Sequence, residues 1–177
     1  MTAQDVLGFW FVVDRKAWFE KNPAFDAEIR ARFLPLYERA AGGELEAWRA
    51  EPASCLALVI LLDQFPRNMF RGSARAFAAD ALALQAARHA VTLGFDRGLS
   101  ADERTFLYLP FEHSESLADQ VRGCELMRPL GDEVYRYAVR HKEIIERFRR
   151  FPHRNAALGR ASTAEEIEFL KQPGSGF

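Results

Sequence analysis

An excess of charge of either sign is missing from this chain. Its 24 Lys and Arg face 25 Asp and Glu, leaving a formal net charge of −1 over 177 residues. No global field draws such a chain to nucleic acid or anionic lipid, so neither is an expected partner. Cysteine is scarce: Cys55 and Cys124 only, each in an apolar stretch, which suits buried free thiols better than a disulfide framework. Long hydrophobic runs are absent as well. The longest strongly apolar one, Cys55 to Leu62, falls far short of the roughly 20 residues that a membrane-spanning helix needs. The opening Met-Thr-Ala-Gln-Asp has no basic n-region, and the apolar stretch after it runs straight into Asp14-Arg15-Lys16. The expected compartment is therefore the cytoplasm. Gly-x-Ser-x-Gly, His-Glu-x-x-His, Glu-x-x-His, Cys-x-x-Cys and a Gly-rich phosphate loop are all missing, so no metal and no cofactor is expected.

What is present is an ordinary globular composition, 49% apolar and 28% charged, long enough for one domain with a real core. Helical periodicity dominates. Val134, Ala138, Ile145 and Phe148 recur at steps of three and four between charges, predicting a helix over 132–150 capped by Asp132. Ser73 to Leu93 reads as a second long helix capped by Ser73. It is rich in alanine, which suits a central place in a stack. Further helices are expected over 3–12, from Pro23 to about Ala41, over 44–50, from Ala53 to Gln64 and over 114–127. Capping boxes at Ser100–Glu103 and Ser162–Glu165 should open two more. Nothing alternates like a strand, so the fold class is all-α. A single domain is expected over 1–177, with helices of about 1–50 on a stack of about 51–172 and a frayed tail from Pro173. The aromatics Phe9, Trp10, Phe11, Trp18, Phe19 and Phe25 should pack the first helices onto that stack.

Three polar strings punctuate the apolar helices: Leu62-Asp-Gln-Phe-Pro-Arg-Asn68, Leu109-Pro-Phe-Glu-His-Ser-Glu115 and Phe151-Pro-His-Arg-Asn155. Proline restrains the residue before it and has no N–H to donate, so each helix should end or kink there. With strict up-down alternation the three ends share one pole, joined by the helix starts at Ser73 and Ser114. Asp63, Arg67, Asn68, Arg71, His113, Ser114, Glu115, His153, Arg154 and Asn155 are then the candidate site, an anion-binding arrangement of cations and helix N-termini. Asp63 follows an apolar run, and a buried carboxylate there needs a partner, with Arg67, Arg71 or Arg154 to hand. His141 falls on an apolar stripe as a core residue.

Phe9-Trp10-Phe11, the Asp-Gln-Phe-Pro-Arg-Asn string with Arg71-Gly72, Phe111-Glu-His-Ser-Glu115 and the segment from Phe151 through Gly159-Arg160 resemble the domain of unknown function 924 family along essentially the whole chain. The resemblance implies a bacterial protein of antiparallel helix pairs in a right-handed, tetratricopeptide-like stack. It implies no activity. Three readings follow from the residues. The first is a binding protein that takes a small anionic molecule or an acidic peptide in a polar pocket. The second is an enzyme in which His113 or His153 moves a proton while Arg67 or Arg154 binds substrate. The third is a structural protein whose polar strings knit helix ends while an exposed apolar face mediates assembly.

Overall fold

The computed structural model describes residues 1–176, with Phe19 described by its backbone alone. Among the described residues the secondary structure is nine α-helices and five short 3₁₀ turns, with no strand. The helices are α1 (Ala3–Val12), α2 (Arg15–Phe19), α3 (Pro23–Ala41), α4 (Pro52–Met69), α5 (Asp80–Leu93), α6 (Ala101–Glu112), α7 (Leu117–Met127), α8 (Asp132–Phe148) and α9 (Ala164–Leu170). Their contacts gather the chain into two compact units, residues 1–71 with 75–110, and residues 72–74 with 111 onward.

In the first unit the central element is α4, buried on every face from Cys55 through Pro66. The alanine-rich segment, expected to hold that place, splits instead into a 3₁₀ turn over Ala74–Phe77 and α5. Ala83, Ala86, Ala87 and Ala90 form its buried face. Side chains this small let the backbones come close, and Cys55 Sγ lies 3.6 Å from the Ala86 carbonyl. Contacts at the helix ends fix the directions. Asn68 and Arg71 reach Asp26 near the start of α3, and Arg67 reaches Asp80 at the start of α5. Thus α3, α4 and α5 run antiparallel in series.

The aromatic expectation becomes a ring cluster in this unit. Phe9 stacks on Phe25 with centroids 5.6 Å apart, Phe33 meets Phe65 at 4.8 Å, and Trp10 and Trp18 both pack edge-on against Phe106. Trp18 Nε1 donates to the Trp10 carbonyl at 2.7 Å, tying α2 to α1. Phe19 was expected in this group, but its side chain lies outside the described residues.

The second unit is smaller. Ile144, Ile145 and Phe151 form its core, with Leu117, Phe148 and Phe169 packed against them, and α7 lies chiefly on α8. Helix α8 stops at Arg149, whose φ of 62° is left-handed. The break therefore comes before Pro152. Asp132 is the first helical residue and Gly131 the cap position, so the expected Asp132 cap is absent. The second capping box sits one residue later than its spacing suggested, at Thr163 and Glu166. The tail from Pro173 is tied down as far as it is described. Ser175 Oγ donates to the Leu170 carbonyl at 3.1 Å and Arg140 to that of Gly174 at 3.0 Å. Phe177 lies outside the described residues.

Candidate functional site

Two of the three prolines do not end their helices. Pro66 is inside α4 and Pro110 inside α6. A proline there costs about 3 kcal/mol through a lost N–H and a clash with the preceding turn, yet both stand buried inside their helices. Arg67 Nη1 donates to the Asp63 carbonyl at 2.7 Å. At the end of α6, Gln120 Nε2 lies 2.6 Å from both the Glu112 and the Ser114 carbonyls. Arg67 thus reaches a carbonyl in the turn before Pro66, and Gln120 holds the carbonyls that end α6.

The first polar string lies wholly in the first unit. Because α4 runs on to Met69, Asp63 is nearly two turns inside the helix, fully buried. Arg67 faces it at 3.3 Å and grips Asp80 with two bonds of 2.8 and 3.0 Å, while Gln64 Nε2 donates to Asp63 at 2.6 Å. Burial pulls the Arg67 guanidinium down, but the two carboxylates outweigh it and hold its pKa above the ordinary value. Arg71 holds Asp26 through two bonds of 2.5 and 2.9 Å, and Asn68 adds a third from its amide at 2.7 Å. Asp26 therefore pairs across elements, and Arg30 donates to the Met69 carbonyl.

The other two strings lie in the second unit. Glu115 accepts both Arg160 guanidinium nitrogens at 2.8 and 2.9 Å and the Phe151 N–H at 2.8 Å. Burial pushes its carboxyl up, and these donors outweigh it and bring it below the ordinary value. Arg154 donates to the His113 carbonyl at 3.0 Å and covers the Phe151 ring. Ser114 is not a helix start, since α7 begins at Leu117; its hydroxyl bonds Asp119 at 2.7 Å. Ser73 likewise precedes a 3₁₀ turn and not a helix N-terminus. Asn155 bonds Ser162 and Glu166. The His153 ring lies tilted against Phe151, with centroids 5.6 Å apart. His141, read as a core residue, is buried with Nδ1 2.9 Å from Glu112 Oε1.

A different feature carries open space. On the first unit, Leu7, Gly8 and Phe11 of α1 form the floor of a cleft of about 670 Å³, with Gln4 at one end and Trp18 and Ala53 beside it. Ser100, Asp102 and Glu103 at the start of α6 make its polar edge. Helix α1 is apolar nearly all round. Val6, Phe9 and Trp10 point into the core, while Val12 at the lip is 79% exposed.

Residues 6–174 match the family described as bacterial protein of unknown function, DUF924. The chain belongs to the DUF924 family. The solved structure of a protein of unknown function, ATU0120 from Agrobacterium tumefaciens, is similar at 46% identity, with 96% of each chain covered and a TM-score of 0.93. No curated protein matches. In this DUF924 chain the family strings are thus seen as ion pairs, buried at Asp63 and part-exposed elsewhere, and as helix-end bonds. Reading the strings alone missed their partners Asp26, Asp80, Gln120 and Glu166. Only Arg160 carried a signal, as part of the family segment. Among the described residues no group of three or more His, Cys, Asp or Glu could hold a metal ion, and no helix is long and apolar enough to cross a membrane.

Proposed function

We propose that this DUF924 member is a cytoplasmic helical binding protein whose polar strings lock helix ends, leaving the apolar outer face of α1 to meet a partner. On this reading its antiparallel helices belong to a right-handed, tetratricopeptide-like stack. The observation that carries the proposal is the matching of charge inside the strings. Arg67 is met by Asp63 and Asp80, Arg71 by Asp26, and Arg160 by Glu115. An anionic ligand at these arginines would have to displace a carboxylate that is already in place, at a cost of several kcal/mol where the pair is buried. Beside the apolar face of α1 the pair to be displaced, Arg15 with Asp102, is exposed, and an exposed pair is worth only about 0–1 kcal/mol.

Thermal unfolding separates this from the anion-pocket reading. With inorganic phosphate or citrate in the millimolar range, the midpoint of the wild-type protein should stay put. The Arg67→Ala variant should lose stability outright. A midpoint that climbs with phosphate, and an Arg67→Ala protein of wild-type stability that no longer responds, would support the anion pocket instead.

A second reading, proton transfer in the second unit, is favoured by one geometry. A carboxylate on the Nδ1 side of His141 orients the imidazole as a base-and-orienter pair does. It predicts a turnover abolished by His141→Asn in a folded protein.

A further inference from the structure

Gly8 is the unusual residue of the α1 face. Glycine inside a helix is about 0.8–1.0 kcal/mol worse than alanine, and close packing usually explains its presence. Here a Cβ on Gly8 would meet nothing within 4 Å. The missing side chain keeps the cleft floor low between Leu7 and Phe11, with space that this chain's described residues do not fill. The edge of the cleft is acidic. Asp102 stands there with Arg15 at 2.9 Å, and Arg15 is itself 71% exposed, reaching over from the start of α2. Glu103 adds a second carboxylate, turned towards the Ser100 N–H. An apolar floor with carboxylates along one edge is complementary to an apolar ridge flanked by cations. The Arg15–Asp102 pair already shows how a guanidinium sits on that edge.

We propose that the cleft is a docking groove for an amphipathic helix of a partner protein, one that lays small or branched apolar side chains over Gly8 and places Lys or Arg against Asp102 and Glu103. This deepens the binding-protein reading and rests on it. The mode is helix-in-groove recognition, in which anchors at i, i+3 or i+4 and i+7 enter an apolar channel. Arg15 is the internal competitor for the acidic edge and must swing aside when the partner's cation arrives.

The test uses the full chain and two synthetic peptides of roughly 14 residues, about four helical turns. One has leucine and lysine at helical spacing, and the other has glutamate in place of lysine. Binding is read by fluorescence anisotropy, and its location by amide chemical-shift changes. The lysine peptide should saturate and shift the amides of residues 7–12 and 100–103. Gly8→Leu, whose Cβ would meet nothing within 4 Å, fills the floor and should abolish binding while the unfolding midpoint is kept. Asp102→Lys should weaken binding about tenfold, or 1.4 kcal/mol. Arg15→Ala, by removing the competitor, should tighten it severalfold, an effect that a merely structural arginine would not produce.

Equal binding of the glutamate peptide, lost in Gly8→Leu, would overturn the basic-helix assignment and leave the groove reading intact. A mass that doubles with concentration and reverts in Gly8→Leu would overturn the foreign partner in favour of a second copy. Shifts confined to residues 63–71, or no binding of either peptide with no self-association, would overturn the groove and the binding reading together.

Discussion

Truncating Arg67 to alanine probes the physical core of the account. The guanidinium lies between Asp63, fully buried, and Asp80 at the first position of α5, with contacts of 3.3, 2.8 and 3.0 Å. It also donates to the Asp63 carbonyl beside Pro66. Removing it leaves a buried carboxylate without its cation, a change that costs about 3–5 kcal/mol. The lost bond at the carbonyl adds about 1 kcal/mol. For a chain of this size each kcal/mol lowers the midpoint by roughly 2–4 °C, so a fall of about 10 °C or more is expected. Arg67→Lys keeps the charge but loses the two-pronged grip on Asp80, and should recover only part of that loss. Asp63→Asn in the Arg67→Ala background should restore stability, because the stranded charge disappears with it. The assay is urea unfolding followed by helical circular dichroism on the four proteins of that cycle. An Arg67→Ala cost under 1 kcal/mol, or additive single and double variants, would refute the reasoning.

Glu166 gives a pH prediction in the second unit. Hydrogen bonds from Arg150 against the upward push of burial, with the Thr163 N–H and Asn155 assisting, hold its carboxyl at about 2 in place of 4.5. A depressed folded pKa stabilises above the unfolded value and is lost as pH falls, so acid titration should destabilise this unit between about pH 4.5 and 2. The shift corresponds to at most about 3 kcal/mol, reduced towards 1–2 by solvent screening on the Arg150 side, and Glu166→Gln should flatten that limb of the stability curve. Gln120→Leu should cost about 2–3 kcal/mol in denaturant unfolding, because the carbonyls of Glu112 and Ser114 lose a shared donor. Cys55 is buried with its thiol pushed up to about 11, so a thiol reagent should modify it only as fast as the protein opens. Gly8→Ala, with no neighbour to strike, should stabilise the free protein by about 1 kcal/mol in the same unfolding assay.

The helices were legible where their signals are local. The bounds expected for α1 and α3 hold, and Ser100 caps as its spacing suggested; Thr2 and Asn22, not singled out, cap α1 and α3 through their side chains. Pro66 and Pro110 misled because both are buried inside their helices, and the packing that outweighs a proline's cost depends on folded geometry. Ser73 and Ser114 looked like caps, yet both lie outside any helix, with α5 starting only at Asp80 and α7 at Leu117. The short α2 carries too few residues for a period to show. The strings were visible as chemistry, and Asp63 was expected to hold an arginine; Arg67 fills that place. Their roles were not legible, because Asp26, Asp80 and Glu166 are distant in sequence and unremarkable where they stand. The cleft left an even fainter trace. Gly8 among aromatics reads as a small gap in an apolar helix, and only the placement of α2 and α6 makes it the floor of a channel.

Hydrogen exchange on the first unit, with and without the lysine-rich peptide, tests the central claim most directly. The account predicts new protection at residues 7–12 and 100–103 and no change at 63–71, most of which lies in the buried last turns of α4. Protection centred on Asp63 to Arg71, with α1 unchanged, would contradict it.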